Sequence, residues 1–344
     1  MRAAWYVSSH GWGHAARQRE LIRAWLRRDE SREVTLTTQV PDWFWSGIDS
    51  VYVRGEQPGP LPVEVEGRVD PRATAEALSL FHRRASAIVE REVVFLGEMR
   101  PDLVISDIDP VPFAAAERLG IPAWGIANFT WDWVFGRMLS DMQREVEQLA
   151  GMYASGTYLR LPLGPPTSPF HACRDVGFLP GGVPANPDGA RELLGDGRVC
   201  LVALRDPGRI GGPIPDVPGW ELVSALPRDR FGLERNFTPD RLAEFGVSFA
   251  DLVVAADVVL CKPGYGMISQ ILCGGLRAVV LRRTDFPETP YLTAPLEDRP
   301  GVVLADAATV RRRLPALLAA VADGPAAAPV PSALNGDGCI LNEI

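Results

Sequence analysis

The chain begins with the residues MRAAWYVSSHGWGHAAR, positions 1–17. Ala3 to Val7 is a short apolar run, which predicts a buried β-strand. A glycine-rich turn follows, and apolar side chains then recur at helical spacing from Leu21 to Leu26. A strand, a glycine turn and a helix in this order are typical of the first unit of a parallel α/β sheet. The turn between them lies at the carboxyl edge of the strand, where such sheets bind ligands.

The same alternation of short apolar runs and amphipathic stretches continues along the chain and predicts doubly wound parallel sheets. In the first half we expect strands at 34–38, 51–53, 102–106 and 123–127, and helices at 72–98 and 110–119. In the second half we expect strands at 199–204, 258–261 and 278–281, and helices at 239–245, from 266, and at 307–322.

The proline-rich stretch 161–169 can continue neither a helix nor a central strand, so we place the interdomain linker there. A length of 344 residues also fits two domains. We therefore expect two α/β domains, residues 1–165 and 166–325, that face a central cleft. The tail, 326–344, is expected to carry a short helix that can pack back on the first domain.

Composition narrows the class of protein. An apolar fraction of 47% is that of a globular chain, and a net charge of −8 argues against a nucleic-acid partner. No apolar stretch reaches the ~20 residues that span a bilayer. The cysteines form no CxxC pair, and Cys200, Cys261 and Cys273 lie in apolar runs, which favours a reducing, cytoplasmic location. The oligomeric state stays open, a homodimer included.

The glycine turn after the first strand carries two histidines, His10 and His14. Histidine is the side chain best suited to accept a proton near neutral pH, so either is a candidate catalytic base. The alternative is that each histidine simply closes the turn. The start of the following helix offers free N–H groups and a positive dipole end, which suit an anion.

Two aspartates, Asp107 and Asp109, follow the predicted strand 102–106 on the same sheet edge. A carboxylate there can hold an imidazole in one tautomer, and we assign this role to Asp107. The alternative is that they cap the next helix with Pro110 in its first turn, which we favour for Asp109. No further ligand lies nearby in sequence, so we expect no metal site.

The second half contains another strand, glycine turn and helix, at 260–270. It predicts a second anion-binding helix start, where Lys262 can approach a phosphate or remain solvated. It is not a Walker loop, because Gly-Lys-Ser/Thr is absent. The charged stretch 282–291 follows the next strand on the same edge. Glu288 there can hold sugar hydroxyls, or the stretch can be a solvated loop.

These segments together resemble the glycosyltransferase-like amino-terminal region of L-arabinokinases and its stand-alone bacterial relatives, within the wider GT-B superfamily. The segments that carry the resemblance are His10–Arg17, Pro101–Asp107, Asn128–Asp132, Gly264–Gly266 and Asn335-Gly336. They occur in the family's order over almost the whole chain. The kinase half of the arabinokinases is absent, so the resemblance does not imply sugar-kinase activity.

The resemblance implies two Rossmann-like domains, with the acceptor mainly on the first and a nucleotide-sugar donor mainly on the second. His14 matches the catalytic base of many GT-B enzymes and Asp107 the residue that orients it, with His10 as the competing base. The implied acceptor contacts are Trp12, Asn128, Trp131 and Asp132. The implied donor contacts are Arg205, Lys262, Gly264, Tyr265, Gly266, Met267, Gln270, Glu288 and Thr289. Gln270 departs from the family pattern, which usually has glutamate there.

We therefore predict a glycosyltransferase that moves a sugar from a nucleotide-diphosphate sugar to a small-molecule acceptor. UDP is the favoured nucleotide of the donor. The reaction is expected to be inverting and to need neither a metal nor a cofactor. One alternative is a nucleotide-sugar epimerase or hydrolase on the same fold. Another is a non-catalytic protein that binds a sugar nucleotide. The acceptor loop is expected within 55–69, and Trp43, Phe44 and Trp45 can line an acceptor pocket or pack in the core.

Overall fold

The computed structural model describes residues 1–65, 68–332, 334 and 340–344. The chain divides into two compact units. The first unit contains Met1–Leu179, Phe286–Glu288 and Ser332–Ile344, and the second contains Pro180–Asp285 and Thr289–Pro331. The short segment Phe286–Glu288 thus packs with the first unit, although its sequence neighbours on both sides belong to the second.

The first unit is built on a seven-stranded sheet in the order β3-β2-β1-β6-β7-β8-β9, and every neighbouring pair is parallel. Its strands are β1 Arg2–Val7, β2 Glu33–Thr37, β3 Val51–Arg54, β6 Leu103–Asp107, β7 Ala123–Ala127, β8 Thr157–Arg160 and β9 Ala172–Asp175, with the separate hairpin β4 Glu64–Val65 and β5 Arg68–Val69. Its helices are α1 Trp12–Leu26, α2 Pro71–Met99, α3 Val111–Leu119, α4 Trp131–Met138 and α5 Gln143–Tyr153, with 3₁₀ turns at Asp42–Trp45 and Ile340–Asn342.

The second unit repeats this plan with a six-stranded parallel sheet in the order β12-β11-β10-β13-β14-β15. Its strands are β10 Arg198–Ala203, β11 Trp220–Ser224, β12 Arg235–Asn236, β13 Val258–Cys261, β14 Ala278–Leu281 and β15 Val302–Ala305. Its helices are α6 Pro187–Leu194, α7 Pro239–Glu244, α8 Phe249–Ala255, α9 Tyr265–Gly274, α10 Thr289–Thr293 and α11 Ala307–Ala322, with 3₁₀ turns at Pro207–Arg209 and Ala294–Leu296.

The predicted fold class is therefore confirmed: both units are α/β with doubly wound parallel sheets. The central strands are buried along their length, which explains their continuous apolar runs. The long helix α2 begins where Asp70 accepts a hydrogen bond from the Ala73 N–H and Pro71 takes the first helical position. Sequence and capping thus agree on this boundary.

Strand order places the candidate site in each unit. In the first sheet the order reverses between β1 and β6, and in the second between β10 and β13. Connections on the two sides of such a reversal lead away from each other, so the loops at the carboxyl ends leave a crevice for ligands. In the first unit the crevice lies between the turn that follows Val7 and the end of β6 at Asp107. Val7 and Asp107 are register partners in the sheet, so these two chain segments lie side by side.

Several elements had no clear sequence signal. Strand β9 is exposed along its length, so it lacks the apolar pattern of a buried strand, and β12 has only two residues. The proline-rich stretch 161–169, interpreted as the linker, connects β8 to β9. The motif residues Asn335-Gly336 lie outside the described residues. No helix formed by the described residues has the length and apolar character needed to cross a bilayer.

Candidate active site

The predicted contact between His14 and Asp107 is present at the reversal of the first sheet. Gly11 at the start of α1 has φ of +80°, a conformation that favours glycine, and it directs the chain from β1 into the helix. His14 then lies in the first turn of α1, and its Nδ1 is 2.7 Å from Oδ1 of Asp107. Both side chains are buried.

Asp107 has further partners that come from the next turn of α1. Arg17 donates from Nε to Oδ2 at 2.6 Å and from Nη2 to Oδ1 at 2.7 Å, so its guanidinium engages both oxygens. Gln18 donates from Nε2 to Oδ2 at 2.8 Å. The carboxylate is thus held on every side by side chains of one helix, and its orientation is set before any ligand binds.

These contacts determine the charge of Asp107 and the tautomer of His14. Burial alone would raise the pKa of Asp107, but the charges and hydrogen bonds of Arg17 and His14 hold it well below its usual range. An ionised oxygen accepts hydrogen bonds only, so Nδ1 of His14 carries the proton in this contact. Since no described residue forms a hydrogen bond with Nε2, that nitrogen keeps its lone pair available.

Aromatic rings form the wall around the histidines. The ring of His14 lies edge-on to Phe129 at 5.6 Å between centroids and is tilted against Trp131 at 6.2 Å. His10 stacks on Phe286 at 5.4 Å and meets Trp131 edge-on at 5.4 Å. His10 therefore shares the aromatic wall, whereas the carboxylate of Asp107 is joined to His14.

Asn128, predicted to bind the acceptor, joins buried side chains within the first unit. Its Oδ1 accepts from Nη1 of Arg17 at 2.9 Å, and its Nδ2 donates to Oε1 of Glu288 at 2.7 Å and to the Leu163 carbonyl at 3.2 Å. Because Glu288 packs with the first unit, a continuous chain of polar contacts runs from His14 through Asp107, Arg17 and Asn128 to Glu288. The side chain of Asn128 is completely buried.

Asp109 binds the first N–H of α3, close to the capping role that we favoured for it, although the N-cap position itself is Pro110. Its Oδ1 accepts from the Val111 N–H at 2.9 Å, at the start of α3, and its Oδ2 accepts from Gln57 Nε2 and the Gly59 N–H. Burial raises the pKa of Asp109 to about 7, and these hydrogen bonds oppose that increase. A Cβ at Gly59 would lie 2.5 Å from Oδ1 of Asp109, so this close approach requires glycine.

The other predicted acceptor contacts have different surroundings. Trp12 packs edge-on against Trp43 at 5.5 Å, on the partly exposed side of α1, whereas Trp45 is buried in the core. Trp131 is completely buried, and its Nε1 donates to Ser8. Asp132 lines a cavity of about 410 Å³ together with Trp133, Arg137 and Gln143, among others. Burial raises the pKa of Asp132.

Most of the predicted donor contacts lie together at the reversal of the second sheet. Lys262 follows β13, Gly264 is the N-cap of α9, and Tyr265, Gly266, Met267 and Gln270 belong to that helix. Arg205 lies exposed just after β10, the neighbouring strand. Thr289 begins α10, but Glu288 packs with the first unit. Since Gly264 has no side chain, the first N–H groups of α9 have no side-chain cap from it.

Arg17 and Gln18, the partners of Asp107, were not predicted as site residues. A signal for them existed, because positions i+3 and i+4 from His14 share its helix face. No comparable signal marks Phe286, which reaches His10 from a distant part of the sequence. Among the described residues, no group of three or more His, Cys, Asp or Glu side chains is arranged to hold a metal ion.

The sequence is similar to that of a known plant protein. No family model matches the chain. An L-arabinokinase of Arabidopsis thaliana is 29% identical over 324 residues, which cover 86% of this chain. The match spans only 29% of that L-arabinokinase, so the chain is similar to less than a third of it.

Solved structures show the fold. The glycotransferase of kitacinnamycin superposes with a TM-score of 0.58 at 18% identity, over 93% of this chain and 90% of that one. UGT89C1 of Arabidopsis thaliana, complexed with UDP, gives 0.56 at 14%, over 94% and 93%. A putative UDP-N-acetylglucosamine 2-epimerase of Listeria monocytogenes gives 0.54 at 13%, over 99% and 94%. The chain therefore has the two-domain GT-B fold of glycosyltransferases, and its sequence is similar to part of an L-arabinokinase.

Proposed function

We propose that this protein is a glycosyltransferase that moves a sugar from a nucleotide-diphosphate sugar to a small-molecule acceptor. The observation that carries the proposal is the buried His14, which has its Nδ1 2.7 Å from Asp107 and its Nε2 available, at the reversal of the first sheet. The fold, which the chain shares with solved glycosyltransferases, supports the same class of chemistry. Fold alone would not establish it, because one fold supports several reactions.

In the proposed reaction, Nε2 of His14 accepts the proton of the acceptor hydroxyl. The acceptor oxygen forms a bond to the anomeric carbon, and the bond from that carbon to the diphosphate oxygen breaks. Attack opposite the leaving group inverts the anomeric centre. General-base assistance of this kind typically contributes about 10²–10⁴-fold to the rate, and positioning of the two substrates contributes the rest.

The leaving diphosphate is proposed to bind at the start of α9 in the second unit. The N–H groups of the first helical turn and the positive end of the helix dipole stabilise negative charge there without a metal. UDP is the proposed nucleotide, in keeping with the UDP complex of UGT89C1. Gln270, which is buried in α9, offers an amide rather than a carboxylate to a ribose hydroxyl.

Two measurements on the purified chain test the proposal. First, thermal unfolding is followed with UDP, dTDP, GDP and ADP. A nucleotide at 100 times its Kd stabilises the native state by about 2.7 kcal/mol, and we expect UDP to give the largest shift. Second, the corresponding sugar nucleotides are incubated with and without a panel of hydroxylated acceptors, and the products are analysed by mass spectrometry and NMR.

The products separate this function from its rivals. A glycosylated acceptor of inverted anomeric configuration supports the proposal. Conversion of the donor to its epimer, or to free sugar, without any acceptor would instead identify the epimerase or hydrolase reaction. Tight nucleotide binding without any product across the panel would favour a binding protein. His14→Ala should lower the rate of glycosyl transfer by at least about a hundredfold, and such a loss would assign the observed activity to this site.

A further inference from the structure

Arg17 lies completely buried beside the His14 and Asp107 pair. It engages both carboxylate oxygens of Asp107, and its Nη2 is also 3.0 Å from Nδ1 of His14. The imidazole and the guanidinium therefore share one carboxylate. Nδ1 of His14 donates its proton to the carboxylate of Asp107. Nη2 of Arg17 and Nδ1 of His14 are therefore two donors in contact and do not form a hydrogen bond with each other.

The guanidinium of Arg17 affects the charge that the ring of His14 can carry. The carboxylate of Asp107 and the guanidinium of Arg17, the two charged groups that contact the ring of His14, carry opposite charges that sum to zero. A second proton on the ring would place a positive charge on the imidazole whose Nδ1 lies 3.0 Å from Nη2 of the guanidinium, and two like charges this close in a buried site are costly. In a histidine–aspartate pair without arginine, protonation of the imidazole is favoured instead, because the protonated ring then neutralises the carboxylate.

We infer that Arg17 is a positioning residue that keeps His14 neutral, with its ring proton on Nδ1, by balancing the charge of Asp107. This inference rests on the proposed function, in which His14 acts as a base through Nε2. A base must be unprotonated at the start of the reaction, and a ring that is already protonated cannot accept the acceptor's proton.

The other groups around His14 do not supply this effect. The charged and titratable groups that face its ring are Asp107 from β6 and Arg17 from its own helix. The remaining contacts of the ring are the uncharged aromatic faces of Phe129 and Trp131. The neutral amide of Asn128 accepts from Arg17 and fixes the guanidinium in place without adding charge.

The test is a pH titration of the whole chain labelled with ¹⁵N-histidine, followed by NMR without substrate. The chain has four histidines, and the spectrum of His14→Ala identifies the His14 signals. In the wild type we expect a neutral ring protonated on Nδ1 at pH 7. In Arg17→Gln and Arg17→Met the midpoint at which His14 takes up its second proton should rise by about one pH unit or more.

Two further variants separate charge from structure. Arg17→Lys retains the positive charge but loses the planar fork, and its midpoint should stay within about half a pH unit of the wild type. Arg23→Gln removes an arginine from the same helix, where Arg23 forms a partly exposed ion pair with Glu20, and it should leave the His14 titration unchanged. Circular dichroism establishes which variants are folded.

An unchanged midpoint in the glutamine and methionine variants would overturn the inference, as would a lysine variant that shifts as far as they do. If neither uncharged variant folds, the wild-type spectrum still decides: a ring that is protonated on Nε2, or doubly protonated at pH 7, contradicts it. Because no substrate enters the titration, the result is independent of the transferase assay. Absence of transfer would overturn the proposed function and leave the charge balance at Arg17 standing.

Discussion

Asp107 combines two tasks in one side chain. It orients the ring of His14, and it also neutralises the buried guanidinium of Arg17. A substitution there changes the activity of the base and the stability of the native state together. The clean test of the base is therefore a substitution of the histidine itself, with the neighbouring His10 as comparison.

We expect His14→Ala to lower kcat by at least about a hundredfold with little change in donor affinity, because it removes the group that accepts the proton. His10→Ala should retain most of the turnover, since His10 packs on Phe286 and Trp131, whereas His14 is the histidine that is hydrogen-bonded to Asp107. Steady-state kinetics with both variants in one assay measures this. Loss of activity only in His10→Ala would move the base to His10, and full activity in both would exclude general-base catalysis by either.

Asp107→Asn should destabilise the protein as well as inactivate it. The amide no longer balances the buried Arg17, and breaking a buried ion pair on one side costs about 3–5 kcal/mol. Urea unfolding measures the loss. The matched control is Asp175→Asn, which removes the carboxylate from a similar two-bond pair with Arg160 on the surface and should cost less than about 1 kcal/mol. Equal losses in the two variants would contradict this account.

The carboxylate of Asp107 also makes the free energy of unfolding depend on pH. The folded pKa of Asp107 lies well below its unfolded value of about 4, so its contribution is complete above pH 4 and is lost as the pH falls towards the folded pKa. The difference in unfolding free energy between the wild type and Asp107→Asn should therefore be largest near pH 7 and shrink steadily below pH 4. A difference that stays constant down to pH 3 would show that the ion pair is not its source.

Two helices carry most of the proposed chemistry. The first turns of α1 present His14, Arg17 and Gln18 to one carboxylate, because residues three and four positions apart share a helix face. Helix α9 contributes its backbone instead, through a start at which Gly264 leaves the first N–H groups without a side-chain cap. One helix thus positions side chains and the other is proposed to bind an anion.

Gly264→Val should weaken the binding of UDP by at least about tenfold while leaving the fold intact. A Cβ at this position would meet no atom within 4 Å, and the backbone there is extended, so the branched side chain fits but occupies the proposed diphosphate position. Calorimetry with UDP measures the affinity. Gly197→Val is the control, since a Cβ at Gly197, before β10, also meets no atom within 4 Å. Unchanged affinity in Gly264→Val would remove the diphosphate from this helix start.

At the scale of the whole molecule, both sheets place their candidate residues at the reversal of strand order. In the first unit His14 lies in the helix that follows β1 and Asp107 is the last residue of β6, whereas in the second unit Arg205 and Lys262 lie in the loops after β10 and β13. This agreement follows from the parallel sheet, in which all carboxyl ends lie on one edge.

The proposed division of labour between base and helix start predicts that catalysis needs no divalent metal. Once transfer has been detected, dialysis against EDTA should leave kcat and KM within about twofold of their starting values, because backbone N–H groups and a helix dipole stabilise the leaving diphosphate. Activity is measured before and after dialysis, and again after Mg²⁺ or Mn²⁺ is added. A loss on dialysis that the added metal restores would assign the stabilisation of the leaving group to a cation.

Many of the strands and helices could be predicted from the sequence, because each is specified by a pattern of a few neighbouring residues. The apolar runs at Ala123–Ala127, Val258–Cys261 and Ala278–Leu281 coincide with β7, β13 and β14, and the helix expected at 72–98 is α2. Parallel strands end on a common edge, so the proximity of His14 and Asp107 could be inferred from two separate motifs. Hydrophobic period and turn chemistry determine both features over spans of a few residues.

The tertiary structure alone decided which other side chains complete the cluster. Helical spacing from His14 places Arg17 on the same helix face, but only the folded structure shows that Arg17 pairs with Asp107, 90 positions away, and that Asn128 donates to Glu288 across 160 positions. The sequence also does not show that Phe286–Glu288 packs with the first unit while the residues on both sides of it belong to the second. Such pairings depend on which polar groups are buried in the same space and must satisfy one another there, and that space exists only after the chain has folded.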